Sequence, residues 1–215
     1  MSILLTPVEA RVLGALIEKD MATPEYYPLS MNALVNACNQ KSNRDPVVSY
    51  DPDIVARAID SLRDRKIALE ITGADHRVPK YGHRASETLD LGNRELALLS
   101  VLLLRGPQTT AELKSRAERL HPFDDLESVE ACLLRLAERQ PEPLAAQLAR
   151  QPGMREHRWT HLLCGPPAEA SPESTTVPED PRPDRLAALE TAVESLRAEV
   201  ADLRGRLDAF RRQFD

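Results

Sequence analysis

Three residues near the end of a predicted hairpin have side chains that bind metals. His157, His161 and Cys164 are spaced H-x-x-x-H-x-x-C, and Trp159 shares a strand face with the two histidines. Imidazole and thiolate groups bind zinc, but structural zinc sites use four ligands at other spacings. We therefore interpret this segment as a Trp-bearing hairpin with incidental histidines. We predict no bound metal and no other cofactor.

Patterns of catalytic residues are also missing from the sequence. It contains no G-x-S-x-G, no glycine-rich phosphate loop and no H-E-x-x-H, and its 8 glycines leave few places for such loops. The acids Asp51 and Asp53 are explained by the start of a helix, with Asp51 as N-cap and Pro52 at the first helical position. We predict that the protein is not an enzyme.

Basic residues are the remaining candidates, as contacts to nucleic-acid phosphates. They come from a polar stretch, from the end of a predicted helix and from the hairpin that follows it. They are Arg44, Arg63, Lys66, Arg77, Lys80 and Arg84. If these side chains gather on one side of the molecule, they form a modest cationic surface for salt-sensitive phosphate contacts. The alternative is that they are ordinary solvated charges.

The polar stretch NQKSNRDPVVSYDPD, residues 39–53, is longer than a helix-turn-helix needs. One interpretation is scaffolding, in which its amides and hydroxyls satisfy nearby backbone groups and residues 47–50 add a third strand before the next helix. The other interpretation is a binding loop whose donors contact phosphates or base edges. The sequence alone leaves both interpretations open.

Composition limits the class of protein. A hydrophobic content of 42% with only 4% aromatic residues predicts cores built from Leu, Ile, Val and Ala, which favours helices. The net charge of −6 argues against indiscriminate binding to nucleic acid or to an anionic membrane, and no apolar window is long enough to span one. Cys38, Cys132 and Cys164 form no CxxC pair, which is typical of a reducing compartment. We expect a cytoplasmic protein with no membrane partner.

The first 165 residues contain one pattern of helices twice. Residues 7–21 align without a gap on residues 93–107, and both segments predict amphipathic helices. The next helical segments begin at Ser30 and Thr110, hydroxyl residues that can cap a helix. This internal repeat indicates two similar units.

Each unit ends with a third helix and a hairpin. The third helices are predicted at residues 55–66 and 129–140, and the apolar period then drops towards two on either side of a Gly-containing turn. Three helices followed by a hairpin is the order of a winged helix-turn-helix. The predicted fold class is mainly α with small β-hairpins, in tandem winged helix-turn-helix domains at residues 1–88 and 89–165.

The two predicted domains differ in charge. The third helix of the first domain balances its acids against its bases. The third helix of the second holds five acids against two arginines; the acids are Asp124, Asp125, Glu127, Glu130 and Glu138. Because duplex DNA repels an acidic helix, we expect duplex DNA to contact the first domain. We expect the strongly apolar third helix of the second domain to pack against the first domain or against a protein partner.

The end of the chain predicts a coiled coil. Residues 166–184 contain six prolines and no apolar periodicity, which is typical of an extended linker. Beyond them, apolar residues from Leu186 to Phe214 follow a 3-4 spacing that leaves a seam one helix cannot bury alone. We predict a coiled-coil helix at residues 185–215 that pairs copies of the chain through residues 186–214. The alternative is a helix that folds back onto its own globular part.

Several segments resemble a known family. The runs LTPVEARVLGALIEK, YYPLSMNALVNACNQKSNRDPV, SYDPDIVARAIDSLRDRKI and VPKYGHR are together similar to the YceH family of bacterial proteins, over about Leu4 to Cys164. The resemblance implies two tandem winged-helix domains followed by a helical tail. It carries no activity and no functional residue over to this chain.

The combined prediction is a non-enzymatic winged-helix protein that binds DNA as a homo-oligomer, in the manner of a transcription regulator. The alternative is a protein–protein interaction scaffold built on the same domains without DNA binding. A small-molecule sensor is a third hypothesis, for which the sequence identifies no pocket residues.

Overall fold

The computed structural model describes residues 3–72, 78–150 and 156–166. These residues form seven α-helices, one short 3-10 helix and two small antiparallel sheets. The prediction of a mainly helical fold with small β-hairpins is therefore confirmed. The coiled-coil helix predicted at 185–215, and all of the predicted linker after residue 166, lie outside the described residues.

The first repeat begins with a well-capped helix. The Thr6 hydroxyl accepts from the Glu9 N–H at 3.2 Å and the Glu9 carboxylate accepts from the Thr6 N–H at 2.6 Å, which satisfies two N–H groups that a helix start leaves open. The elements are α1 (Pro7–Ala22), a 3-10 helix (Pro24–Tyr26), β1 (Leu29–Ser30), α2 (Met31–Cys38), α3 (Pro52–Asp64), β2 (Ala68–Ile71) and β3 (Lys80–His83). As predicted, Asp51 is the N-cap of α3 and Pro52 its first residue.

The sheet of the first repeat has the order β1-β3-β2. Its third strand is therefore Leu29–Ser30, and the prediction of a strand at residues 47–50 was wrong. The Asn39 side chain explains the difference, because its amide donates to the Tyr50 carbonyl at 2.9 Å and accepts from the Tyr50 N–H at 2.8 Å. Because its N–H is donated to Asn39, Tyr50 has no free donor for a strand ladder.

The second repeat has the same plan. After α4 (Ala85–Thr88) it contains α5 (Asn93–Arg105), α6 (Thr110–Ala117), α7 (Leu126–Glu138), β4 (Ala145–Gln147) and β5 (Trp159–His161). The cap of α6 is Thr109 and not Thr110 as predicted, and it forms a capping box with Glu112. Gln108, just before α6, exchanges backbone hydrogen bonds of 2.7 and 3.0 Å with Trp159. This pairing corresponds to that of β1 with β3 in the first repeat.

The two repeats pack through α1 and α5. Their buried side chains form one hydrophobic cluster, and a β-carbon at Gly14 would lie 3.0 Å from both Leu103 Cβ and Leu104 Cγ. A glycine inside a helix costs roughly 0.5–1 kcal/mol relative to alanine. Glycine is required at position 14 because α1 and α5 pack so closely there. The two repeats therefore share one hydrophobic core.

Candidate nucleic-acid interface

Arg44, predicted to contact phosphates, lies inside the protein. Its side chain is 0% exposed and its guanidinium is 2.5 Å from the Glu18 carboxylate. The same group donates to the Ala37 carbonyl at 2.8 and 3.1 Å and to Gln40 Oε1 at 2.9 Å. Because its donors are bound to these partners, Arg44 does not reach a phosphate at the surface. The assignment of Arg44 to a nucleic-acid surface is therefore corrected.

The polar stretch of residues 39–53 is attached to the second repeat as well as to the first. The Asp45 N–H donates to the Leu104 carbonyl of α5 at 2.9 Å, and the Arg105 guanidinium donates to Asn43 Oδ1. These contacts join segments about 60 residues apart in the chain and supply partners for residues 39–51, which form no helix or strand. They support the scaffolding interpretation.

Arg11 is a second buried cation that holds this stretch. It comes from α1, is 4% exposed, and donates to the Pro46 carbonyl at 2.6 Å and to the Cys38 carbonyl at 3.5 Å. Sequence reasoning missed Arg11 because one arginine in an amphipathic helix gives no local signal of burial. Burial also raises the pKa of the Cys38 thiol to about 12, so this cysteine is not a nucleophile at neutral pH.

The other described candidates lie around the first hairpin. The Arg84 N–H donates to the Ile67 carbonyl at 2.6 Å, which places Arg84 beside Lys66 at the base of the hairpin. Lys80 lies at the opposite end of β3, towards the turn. Arg77 falls outside the described residues. The term hairpin surface is used below for Arg63, Lys66, Lys80 and Arg84.

A cluster of ion pairs lies between α3 and the hairpin. The Arg63 guanidinium is 2.9 Å from the Asp60 carboxylate and 2.7 Å from that of Glu70 on β2. Burial raises the pKa of Tyr81, the cross-strand partner of Glu70, and the Glu70 charge raises it further. Two carboxylates face one guanidinium here, so Arg63 adds little attraction for phosphates.

The other described basic residues lie at the two ends of the hairpin, with Lys66 and Arg84 at its base and Lys80 towards its turn. Arg84 lies 2.6 Å from Glu87, but this ion pair is exposed, and such pairs contribute about 0–1 kcal/mol and open readily. Lys66 and Lys80 form no ion pair with the residues that the structure describes. These two lysines carry the uncompensated charge of the hairpin surface.

The second hairpin places its histidines in different surroundings. His157 Nδ1 lies 3.2 Å from the Leu148 carbonyl, whereas His161 Nδ1 is buried and has no hydrogen-bond partner among the described residues. Within residues 3–72, 78–150 and 156–166, no three His, Cys, Asp or Glu side chains lie close enough together to hold a metal ion. None of the helices in these ranges combines the length and apolarity needed to cross a membrane.

The buried His161 makes stability depend on pH. Burial lowers the pKa of His161 to about 4, below the ordinary value of 6.5, so the unfolded chain binds a proton more tightly than the folded one. The contribution of His161 to the free energy of unfolding is complete above pH 6.5, where the ring is neutral in both states. It is lost as the pH falls towards 4, and the loss amounts to about 3 kcal/mol at about 1.4 kcal/mol per pKa unit.

Urea unfolding at several pH values measures this dependence. We expect the difference in unfolding free energy between neutral and mildly acidic pH to be smaller in His161→Gln than in the native protein. This holds whatever the stability of the variant at neutral pH. An NMR titration in which the His161 ring of the native protein takes up its proton above pH 6 would contradict the prediction.

The described residues define a class of protein. The protein is mainly helical and contains two similar repeats, each with three helices and a small antiparallel sheet. Residues 5–154 match the family model described as a protein of unknown function, DUF480. That match covers more than half of the chain.

Individual relatives extend the similarity along the chain. A UPF0502 protein of Opitutus terrae is 53% identical over 193 residues, which is 90% of this chain and 83% of the relative. One of Geobacter sulfurreducens is 52% identical over 221 residues and 100% of both chains, and one of Aeromonas hydrophila is 46% identical over 216 residues, 96% of this chain and 98% of the relative. The chain belongs to the YceH family of bacterial proteins, designated UPF0502, which confirms the resemblance in its sequence.

Proposed function

We propose that the chain is a cytoplasmic, non-enzymatic protein with two tandem winged helix-turn-helix domains, the first of which binds duplex DNA. The order of elements supports the fold assignment, since three helices precede a hairpin in each repeat. In both repeats the segment before the second helix also pairs with the hairpin, through Leu29–Ser30 in the first and Gln108 in the second.

The observation that carries the DNA proposal is that neither Lys66 nor Lys80 forms an ion pair within the described part of the chain. A hairpin beside a DNA-contacting helix can bind backbone phosphates, and lysine contacts of this kind position a protein without reading sequence. The two carboxylates around Arg63 weaken phosphate attraction along α3. The proposed binding is therefore directed at the backbone, modest in affinity and sensitive to salt.

Pairing of two copies strengthens this proposal. We propose that residues 186–214 form a coiled coil, which brings two hairpin surfaces into one particle. Two linked surfaces bind one duplex more tightly than either does alone, because the second contact becomes intramolecular. The homo-oligomer is thus the form in which DNA binding should be measured.

Binding of the full-length protein to a labelled random duplex tests the proposal by fluorescence anisotropy. With about two to four phosphates neutralised, the affinity should fall about 10- to 100-fold between about 50 and 200 mM salt. Lys66→Glu combined with Lys80→Glu should weaken binding by at least about ten-fold at the lower salt and flatten the salt dependence.

The matched control reverses two charges in the second repeat, Lys114→Glu with Arg150→Glu. This variant changes the net charge by the same amount away from the hairpin surface, so it should weaken binding much less. Equal losses in the two variants would show that only net charge matters and would remove the hairpin surface from the proposal. Absence of binding by the folded native protein at both salt concentrations would exclude DNA as the ligand.

A second candidate function is a scaffold for a protein partner. Leu126 and Leu134, two helical turns apart on α7, are 48% and 43% exposed, and the exposed Glu130 lies between them. Exposed leucines beside acidic groups suit a protein surface better than a phosphate backbone. Failure of the native protein to bind duplex would favour this candidate.

A further inference from the structure

A cleft between the two repeats is lined by three arginines. It lies where the polar stretch and α1 meet α5 and α6, and it is a shallow, solvent-open cleft with a cavity volume of only about 20 Å³. Its polar lining consists of Glu18, Asn43, Ser100, Arg105, Arg116 and Arg119. Apolar side chains of α5 and Leu120 complete the walls.

The acidic groups near the cleft already have partners. Glu18 is the one carboxylate in the lining, and it is held by Arg44 at 2.5 Å and Lys19 at 3.5 Å. Glu112, outside the lining, lies 3.3 Å from Arg116 but also accepts the Thr109 N–H at 2.9 Å. These bonds leave the lining with an excess of positive charge.

Two of the arginines have no carboxylate of their own. Among the described residues, Arg105 and Arg119 form no ion pair, and the Arg105 guanidinium is bound to the neutral Asn43 Oδ1. Burial lowers the pKa of Arg105, and the nearby charges of Arg116, Arg44 and Arg119 lower it further, while Glu18 opposes them. The three guanidinium groups repel one another in this partly buried cleft. An anion bound between them would reduce that repulsion.

We propose that this cleft binds the phosphate dianion of a small ligand and thereby links the two repeats. Guanidinium groups form paired, charge-assisted hydrogen bonds with phosphate oxygens. Three guanidinium groups match the charge of a phosphate dianion better than that of a carboxylate, which carries a single negative charge. Because the enclosed space is smaller than a phosphate group, the phosphate would be bound at the solvent-open mouth of the cleft, by the guanidinium groups that line it. This site is separate from the hairpin surface and does not depend on DNA binding.

Calorimetric titration of the full-length protein tests the proposal, with inorganic phosphate and adenosine monophosphate as probes at constant ionic strength. We expect saturable binding of one phosphate per chain for at least one probe. Preference for the nucleotide would identify a phosphate monoester as the ligand, and preference for inorganic phosphate would identify the free ion. Lack of saturable binding of both probes up to about 10 mM would overturn the proposal, because a millimolar site would be detected there.

Variants locate the binding. Arg116→Gln combined with Arg119→Gln should weaken phosphate affinity at least about ten-fold, because each removes a charge-assisted donor. The matched control, Arg57→Gln with Arg150→Gln, removes two exposed arginines elsewhere and should leave the affinity within about two-fold. An equal loss in both double variants would overturn the cleft as the site.

A measurement on the native protein tests the proposal even if the variants do not fold. Phosphate should shift the NMR signals of the Arg105, Arg116 and Arg119 Nε–H groups together, at one common affinity. Shifts confined to arginines outside the cleft would overturn the proposal. Unchanged duplex binding in the Arg116→Gln, Arg119→Gln variant would separate this site from the DNA proposal.

Discussion

Replacement of Arg44 by methionine is expected to lower the free energy of unfolding by about 3 to 5 kcal/mol, because it leaves a buried carboxylate without its main partner. The Arg44 guanidinium lies 2.5 Å from Glu18 and also holds the Ala37 carbonyl. Methionine keeps much of the side-chain length but supplies no donor. Lys19, 3.5 Å from the same carboxylate, compensates in part and favours the lower end of this range. Equilibrium unfolding in urea measures the change.

The control for this prediction is Arg84→Met, which removes an arginine from an exposed pair. That change should cost no more than about 1 kcal/mol, since surface pairs contribute little. The double variant Arg44→Met with Glu18→Met removes both buried charges and should recover part of the loss. A loss in Arg44→Met no larger than in Arg84→Met would contradict the structural role of the buried pair.

Trp159→Ala is expected to destabilise the protein by about 3 to 5 kcal/mol, the range for loss of a large buried aromatic side chain. Trp159 is 2% exposed and its backbone pairs with Gln108. Because the two repeats share one core, we expect the loss to reach the first repeat. Hydrogen exchange should then accelerate in α1 as well as in α7.

Trp159→Phe serves as the matched substitution. The indole Nε1 has no hydrogen-bond partner among the described residues, so its removal leaves no acceptor unsatisfied. Phenylalanine also fills most of the same volume, and its cost should be clearly smaller than that of alanine. Faster exchange confined to the second repeat in Trp159→Ala would show that the repeats unfold independently and would contradict a shared core.

Local patterns in the sequence were sufficient to predict three helices followed by a hairpin in each repeat. The start of α3 at Asp51 and Pro52 and the positions of both hairpins follow from caps and from changes in apolar period, which involve neighbouring residues only. The error at the start of α6 is of the same local kind. Both Thr109 and Thr110 carry hydroxyls, and the glutamate three residues after Thr109 decides between them.

Contacts between distant segments could not be predicted in this way. The burial of Arg44 depends on Glu18, 26 positions earlier, and on the polar stretch that closes over both. The cleft lined by three arginines likewise forms only where α5 and α6 pack near α1, and no residue spacing in the sequence predicts that packing. The strand Leu29–Ser30 contains two residues, which is too short for any apolar period to show.

The packing at Gly14 also limits how the protein can transmit a signal. Leu103 and Leu104 lie where a side chain at this position would be, directly against the α1 main chain. Rotation of one repeat against the other would force these leucines into backbone atoms, and close-packed interiors resist such displacement. Allosteric communication from the second repeat to the first hairpin is therefore expected to proceed by rearrangement of individual side chains and not by hinge bending.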